Sequence, residues 1–183
     1  MSKPPAPSVE RLETISDDDL AALCEAADAA ILDGGGFGWL ASPGRPGMQR
    51  YYRGVLLVPE RVLFVARLAG VVVGSAQLVR PSRNNEAQSF ACSLMHCFIA
   101  PYARGKGLGP KLVRAVEDHA RAQGYHILNL DVRETQSAAI ALFEKLEYTR
   151  WGTHPAYAKV AGRVMGGYYY CKALKGPRTE KAK

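Results

Sequence analysis

Leu20, Leu23, Ala27, Ala30 and Ile31 recur every three or four positions, the spacing that puts side chains on one face of a helix. Ser16 stands where an N-cap belongs. Asp17, Asp18 and Asp19 fill the first turn, where carboxylates favour the positive end of the helix dipole. Asp33-Gly34-Gly35-Gly36 should end this helix, and the Gly-rich segment that follows through Gly47 carries Phe37 and Trp39. A second amphipathic helix is expected over residues 46–57. The period then becomes strand-like. Residues 61–67 and 71–79 are β-rich runs joined through Ala69-Gly70, which predicts an antiparallel hairpin, and a short strand is expected over 9–12.

After a polar loop over residues 81–86, residues 90–99 predict a strand that stops at Pro101, since proline cannot donate to a sheet ladder. Leu108, Leu112, Val113, Val116 and Ala120 mark one face of a helix over 107–123, with Gly124 just past its end. Residues 127–132 predict a buried strand, and Ala138, Ala139, Leu142, Phe143 and Leu146 a short helix. Two strands, over 148–153 and 164–173, close the pattern; Tyr168-Tyr169-Tyr170 fits alternating strand packing, and a loop is expected over 154–166. No internal repeat is present. This order predicts an α/β chain, a mixed sheet flanked by helices.

Composition narrows the class. With 183 residues, 48% hydrophobic and 22% charged, the chain suits one globular domain, expected over residues 8–174. Residues 1–7 are Pro-rich and expected to be disordered, and 175–183 form a basic tail. The net charge of +7 resides partly in that tail. Other basic residues, Arg104, Lys106, Lys111 and Arg114, gather near a Gly-rich segment where an anionic cofactor accounts for them, so no nucleic-acid partner is expected. The four cysteines form no CxxC pair and the four histidines lack ligand spacing, so no metal is expected. Without a signal peptide or long apolar run, a soluble, cytoplasmic protein with no membrane partner is expected.

The chemistry concentrates in Pro101-Tyr102-Ala103-Arg104-Gly105-Lys106-Gly107-Leu108-Gly109, between a strand and a helix. Free amides at a helix start, backed by the dipole, attract anions, and glycines let phosphate oxygens approach the backbone. A tight turn would need the same glycines. The segment lacks the P-loop pattern, and Pro110 stands where a dinucleotide fingerprint would need its last glycine.

Here the sequence resembles the GNAT superfamily of acetyltransferases, whose motif [Q/R]-x-x-G-x-[G/A] is met by Arg104, Gly107 and Gly109. The resemblance runs from about residue 62 to 174 and includes Leu128-Asn129-Leu130-Asp131-Val132-Arg133 and the stretch Ala138-Ala139-Ile140-Ala141-Leu142-Phe143. It implies an α+β fold with a mixed, mostly antiparallel sheet of about six to seven strands and about four helices. It implies acetyl-CoA as co-substrate and acetyl transfer to a primary amine of a small molecule or peptide by direct attack. The backbone of Cys97, Phe98 and Ile99 would pair with the pantetheine arm, the amides of Arg104, Gly105, Lys106, Gly107, Leu108 and Gly109 would hold the pyrophosphate, and the Cys97 N–H would stabilise the oxyanion.

Departures from the family pattern affect proton transfer. Phe143 occupies the place of the family's tyrosine acid, and Ser93 and Met95 map to the usual base. Ser93 is a candidate for holding a relay water. His96 is a candidate base, although in a regular strand it faces the other side of the sheet; a β-bulge would reverse that. Gln136 replaces an asparagine that helps bind the cofactor. Phe37 and Trp39, with Tyr157 from the loop over 154–166, are candidate substrate contacts. A homodimer would be in keeping with the resemblance. A non-catalytic acyl-CoA-binding or sensor module is the alternative that Phe143 and the missing base leave open.

Overall fold

The computed structural model describes residues 5–35 and 38–174. The N-terminal and C-terminal tail expectations fall largely, and Phe37 entirely, outside those residues.

Seven strands form one sheet in the order β1-β2-β3-β4-β5-β7-β6. They are β1 (Ser8–Leu12), β2 (Arg61–Leu68), β3 (Val71–Val79), β4 (Ala91–Ile99), β5 (Ile127–Arg133), β6 (Thr149–Val160) and β7 (Arg163–Ala173). The helices are α1 (Asp17–Ala30), α2 (Gly44–Leu57), α3 (Leu108–Ala122) and α4 (Ser137–Lys145). The sheet is mixed: β1 with β2, β2 with β3, β5 with β7 and β6 with β7 are antiparallel, whereas β4 and β5 are parallel. Contacts group the chain into two compact units that share β4 and α3. One takes the chain to Val79 and again Leu94–Val116; the other takes Arg80–Ser93 and the chain from Glu117 onward.

The first unit is built around α1 and α2. Ser16 caps α1 by accepting the Asp19 N–H at 3.2 Å, as its position predicts. A single turn over Ile31–Gly35 ends the helix, with Gly34 in the left-handed region at φ 80°. Leu20, Leu23, Met48 and Tyr52 from the helices meet Leu63 and Val65 of β2 and Phe98 of β4, all almost wholly removed from water. Each aliphatic side chain so buried contributes about 1.5–3 kcal/mol relative to exposure. One strand position is set by a close approach: a Cβ on Gly74 of β3 would lie 2.4 Å from the Phe98 carbonyl oxygen, so β4 sits against bare backbone there.

In the second unit, β7 is tied to two helices. Lys172 donates to both Glu117 oxygens of α3 at 3.0 Å, and the Tyr170 hydroxyl donates to Glu144 of α4 at 3.1 Å. The hairpin of β6 and β7 corrects the loop expected over 154–166. β6 runs on to Val160 and turns at Ala161-Gly162, both with positive φ. Its register shifts between His154 and Ala158, around Pro155, which is why the sequence pattern looked interrupted there.

Candidate active site

β4 is not regular. Ala91, Cys92 and Ser93 pair in parallel with Ile127, Leu128 and Asn129 of β5, so Ser93 lies in the ladder itself. Three residues on, His96 takes φ 51°. A side chain in the left-handed region costs about 1–3 kcal/mol and persists only where its surroundings hold it. What holds it here is Tyr51 of α2, whose hydroxyl is hydrogen-bonded to His96 Nδ1. His96 thus faces α2.

Around that contact the structure assembles a polar chain. Gln77 Nε2 donates to the Tyr51 oxygen at 2.9 Å, and Arg61 Nη1 donates to Gln77 Oε1 at 2.6 Å. Burial pushes the Tyr51 phenol above its ordinary value. Trp39 of the Gly-rich segment packs edge-on to the Tyr51 ring, centroids 4.8 Å apart. Of the candidates read from sequence, the structure therefore brings Trp39 and His96 together through a tyrosine that no motif marked.

After His96, Cys97, Phe98 and Ile99 complete β4. Burial pushes the Cys97 thiol up to about 12, which disfavours its thiolate at neutral pH. Pro101–Ala103 form one tight turn, Arg104 is extended, and Gly105 and Gly107 adopt φ 75° and 73° before Leu108 opens α3. Ala103 and Leu108 are buried and pin the loop at both ends. Nothing lies within 4 Å of where a Cβ would stand on Gly105 or Gly107. The first turn of α3 has no acidic residue. Backbone donors, a helix N-terminus and unfilled space fit a phosphate-bearing group. The Arg104 side chain is engaged otherwise: it donates to Asp33 at 2.6 Å and to the Ile99 carbonyl at 3.2 Å, bracing the loop against the end of β4. Lys106 is exposed beside it.

In the second unit, Gln136 precedes α4 with its carbonyl accepting the Ile140 N–H. Phe143 is buried in α4 and stacks edge-on to Tyr148 at 5.6 Å, a packing role with no proton to give. Tyr157, expected in a loop, lies on β6; its ring rests against Gly167 and its hydroxyl donates to the Asp131 carboxylate. Among the described residues no group of His, Cys, Asp or Glu is placed to hold a metal ion, and no helix is long and apolar enough to cross a membrane.

Tyr51, Gln77 and Asp33 were not singled out in the sequence. Gln77 left a signal there, a polar residue inside the apolar run of β3.

Comparison with known proteins agrees with this architecture. The model of the acetyltransferase (GNAT) family matches residues 31–148. An uncharacterised N-acetyltransferase of Azospirillum brasilense, encoded in the hisH–hisA intergenic region, is 50% identical over 163 residues, covering 84% of this chain and 97% of the relative. An L-methionine sulfoximine/L-methionine sulfone acetyltransferase of Pseudomonas aeruginosa is 30% identical over 107 residues, 57% of this chain and 59% of that one. The fold is that of a phosphinothricin acetyltransferase of Sinorhizobium meliloti solved with AcCoA, at TM-score 0.75 and 21% identity over 97% of this chain and 93% of that one. This chain belongs to the GNAT acetyltransferase family. It is an N-acetyltransferase.

Proposed function

We propose that the protein moves an acetyl group from acetyl-CoA to a primary amine of a small molecule or peptide, by direct attack within a ternary complex. The observation that carries the reading is the loop at residues 104–109, where left-handed glycines leave open backbone at the start of α3. In it, the amides of Arg104, Gly105, Lys106, Gly107, Leu108 and Gly109 hold the pyrophosphate, with Lys106 adding charge. The backbone of Cys97, Phe98 and Ile99 holds the pantetheine arm. Acetyl-CoA supplies an activated thioester, and the Cys97 N–H donates to the oxyanion that forms when the amine attacks, a contribution of about 2.7–4 kcal/mol for one such donor.

His96 is the titratable side chain next to Cys97, and Ser93 holds a relay water for the amine's proton. Gln136 keeps a hydrogen bond to the cofactor and Phe143 packs near it. Trp39, beside Tyr51, contacts the acceptor. The amino-acid analogues for which the Pseudomonas aeruginosa relative is named are α-amino acids, which supports a primary amine as acceptor here.

The test is thiol release from acetyl-CoA in the presence of amino acids, polyamines, aminoglycosides and peptides. Release with one class and acetylation of its amine is the expected result. Binding of acetyl-CoA with no release across the whole panel would refute acetyl transfer and leave a sensor module.

A further inference from the structure

Gln77 is fully buried in β3, and Arg61 tells its two ends apart. A guanidinium only donates, so the 2.6 Å contact from Arg61 Nη1 fixes the amide oxygen on that side and turns the amide nitrogen to Tyr51. The phenol oxygen then accepts from Gln77 and has the Arg61 guanidinium within reach as a second donor, so its single proton is directed to the His96 Nδ1 that it touches. A ring nitrogen that accepts carries no hydrogen. The neutral imidazole therefore bears its proton on Nε2.

We propose that Tyr51 is a positioning residue for acetyl transfer: it holds His96 as the neutral Nε2–H tautomer, so that His96 offers the leaving thiolate a hydrogen bond and does not take the amine's proton, which passes to water. This deepens the proposed function and rests on β4 being the reacting strand. Phe143 leaves the chain without the family's tyrosine donor, and His96 stands directly before Cys97. The raised Tyr51 phenol keeps its proton through the neutral range, so the direction of the chain does not reverse with pH there. Among the described residues, Tyr51 touches His96, Arg61 of β2 acts on Tyr51, Tyr52 packs on Tyr51 with Asp28 of α1 acting on it, and Cys97 follows His96 on its own strand. An O–H donated to Nδ1 stabilises the neutral ring. Removal of the hydroxyl is therefore expected to let the ring protonate at higher pH.

The experiment is nuclear magnetic resonance of the full chain carrying nitrogen-15 histidine, titrated from about pH 8 to 5, a range that spans histidine protonation. The expected result is a His96 ring protonated on Nε2. In Tyr51→Phe, which keeps the ring that packs on Trp39 and Tyr52, the His96 midpoint should rise by about half to one pH unit, the worth of one hydrogen bond. A proton found on Nδ1 of the unsubstituted protein overturns the proposal, and so does an unchanged midpoint in folded Tyr51→Phe. If Tyr51→Phe does not fold, the tautomer of the unsubstituted protein decides alone. In activity, Tyr51→Phe should lower kcat about tenfold or more with the acetyl-CoA KM kept, and should add nothing in a His96→Gln background. A full additional loss in that background overturns it. The tautomer is read without substrate, so failure of the acetyl-transfer reading would show separately, as absent thiol release.

Discussion

Gly107 and Gly74 are required for opposite reasons. At Gly107 there is room for a side chain, but φ is 73°. At Gly74 there is no room, because an added Cβ would meet the Phe98 oxygen at 2.4 Å and Ile99 Cδ1 at 2.7 Å. Gly74→Ala must therefore push β4 away in the stretch assigned to the pantetheine arm. We expect a loss of about 1–3 kcal/mol in urea denaturation, together with a raised acetyl-CoA KM. Only one of these glycines was legible. Gly107 belongs to a spaced motif between a strand and a helix, whereas Gly74 interrupts an ordinary β run, and nothing local says that another strand's backbone lies over it. Tyr51 was hidden for a similar reason. Its partner His96 is 45 positions away, and the kink that joins them is a backbone angle without a residue signature.

At the scale of elements, α1 is fastened at its start. Ser16 caps it, and Asp19 of the first turn receives Arg67 of β2 through two hydrogen bonds of 2.6 Å. The Arg67 hydrogen bonds hold the Asp19 carboxyl below its ordinary range, against the opposing effect of burial. The folded value lies below the unfolded one, so this stabilisation is complete above the ordinary carboxylate value of about 3.9 and is lost as pH falls through the folded value. Asp19→Asn should cost about 1 kcal/mol at neutral pH, as chemical denaturation would measure, and the gap between the two proteins should close on acidification. The cap and the acidic turn were readable from Ser16-Asp17-Asp18-Asp19, a local pattern. Arg67 as partner was not, because it arrives from another element. Hairpins split the same way: Ala69-Gly70 between β-branched runs announced β2 and β3, but Pro155 disguised the second half of β6 as a loop.

For the molecule as a whole, a ligand that binds only the folded chain raises its stability. Acetyl-CoA at about a hundred times its Kd should add about 2.7 kcal/mol, which in a chain of this size moves Tm by about 5–10 °C. Gly107→Val should remain folded and lose most of that rise in a thermal shift measurement. A full rise in the variant would refute the assignment of the loop. The fold class was legible at this scale because the order of helical and strand periods reports the sheet and its helices. Pairing order was not, since β7 inserts between β5 and β6. That insertion leaves β6, twelve residues long, with no strand among the described residues on its outer flank. A row of unsatisfied backbone donors and acceptors of that length is a template on which other chains can polymerise. Pro155 and the register slip beside it divide the row into two short pieces. The irregularity that obscured the strand in the sequence thus breaks up the surface on which a second chain could pair edge to edge.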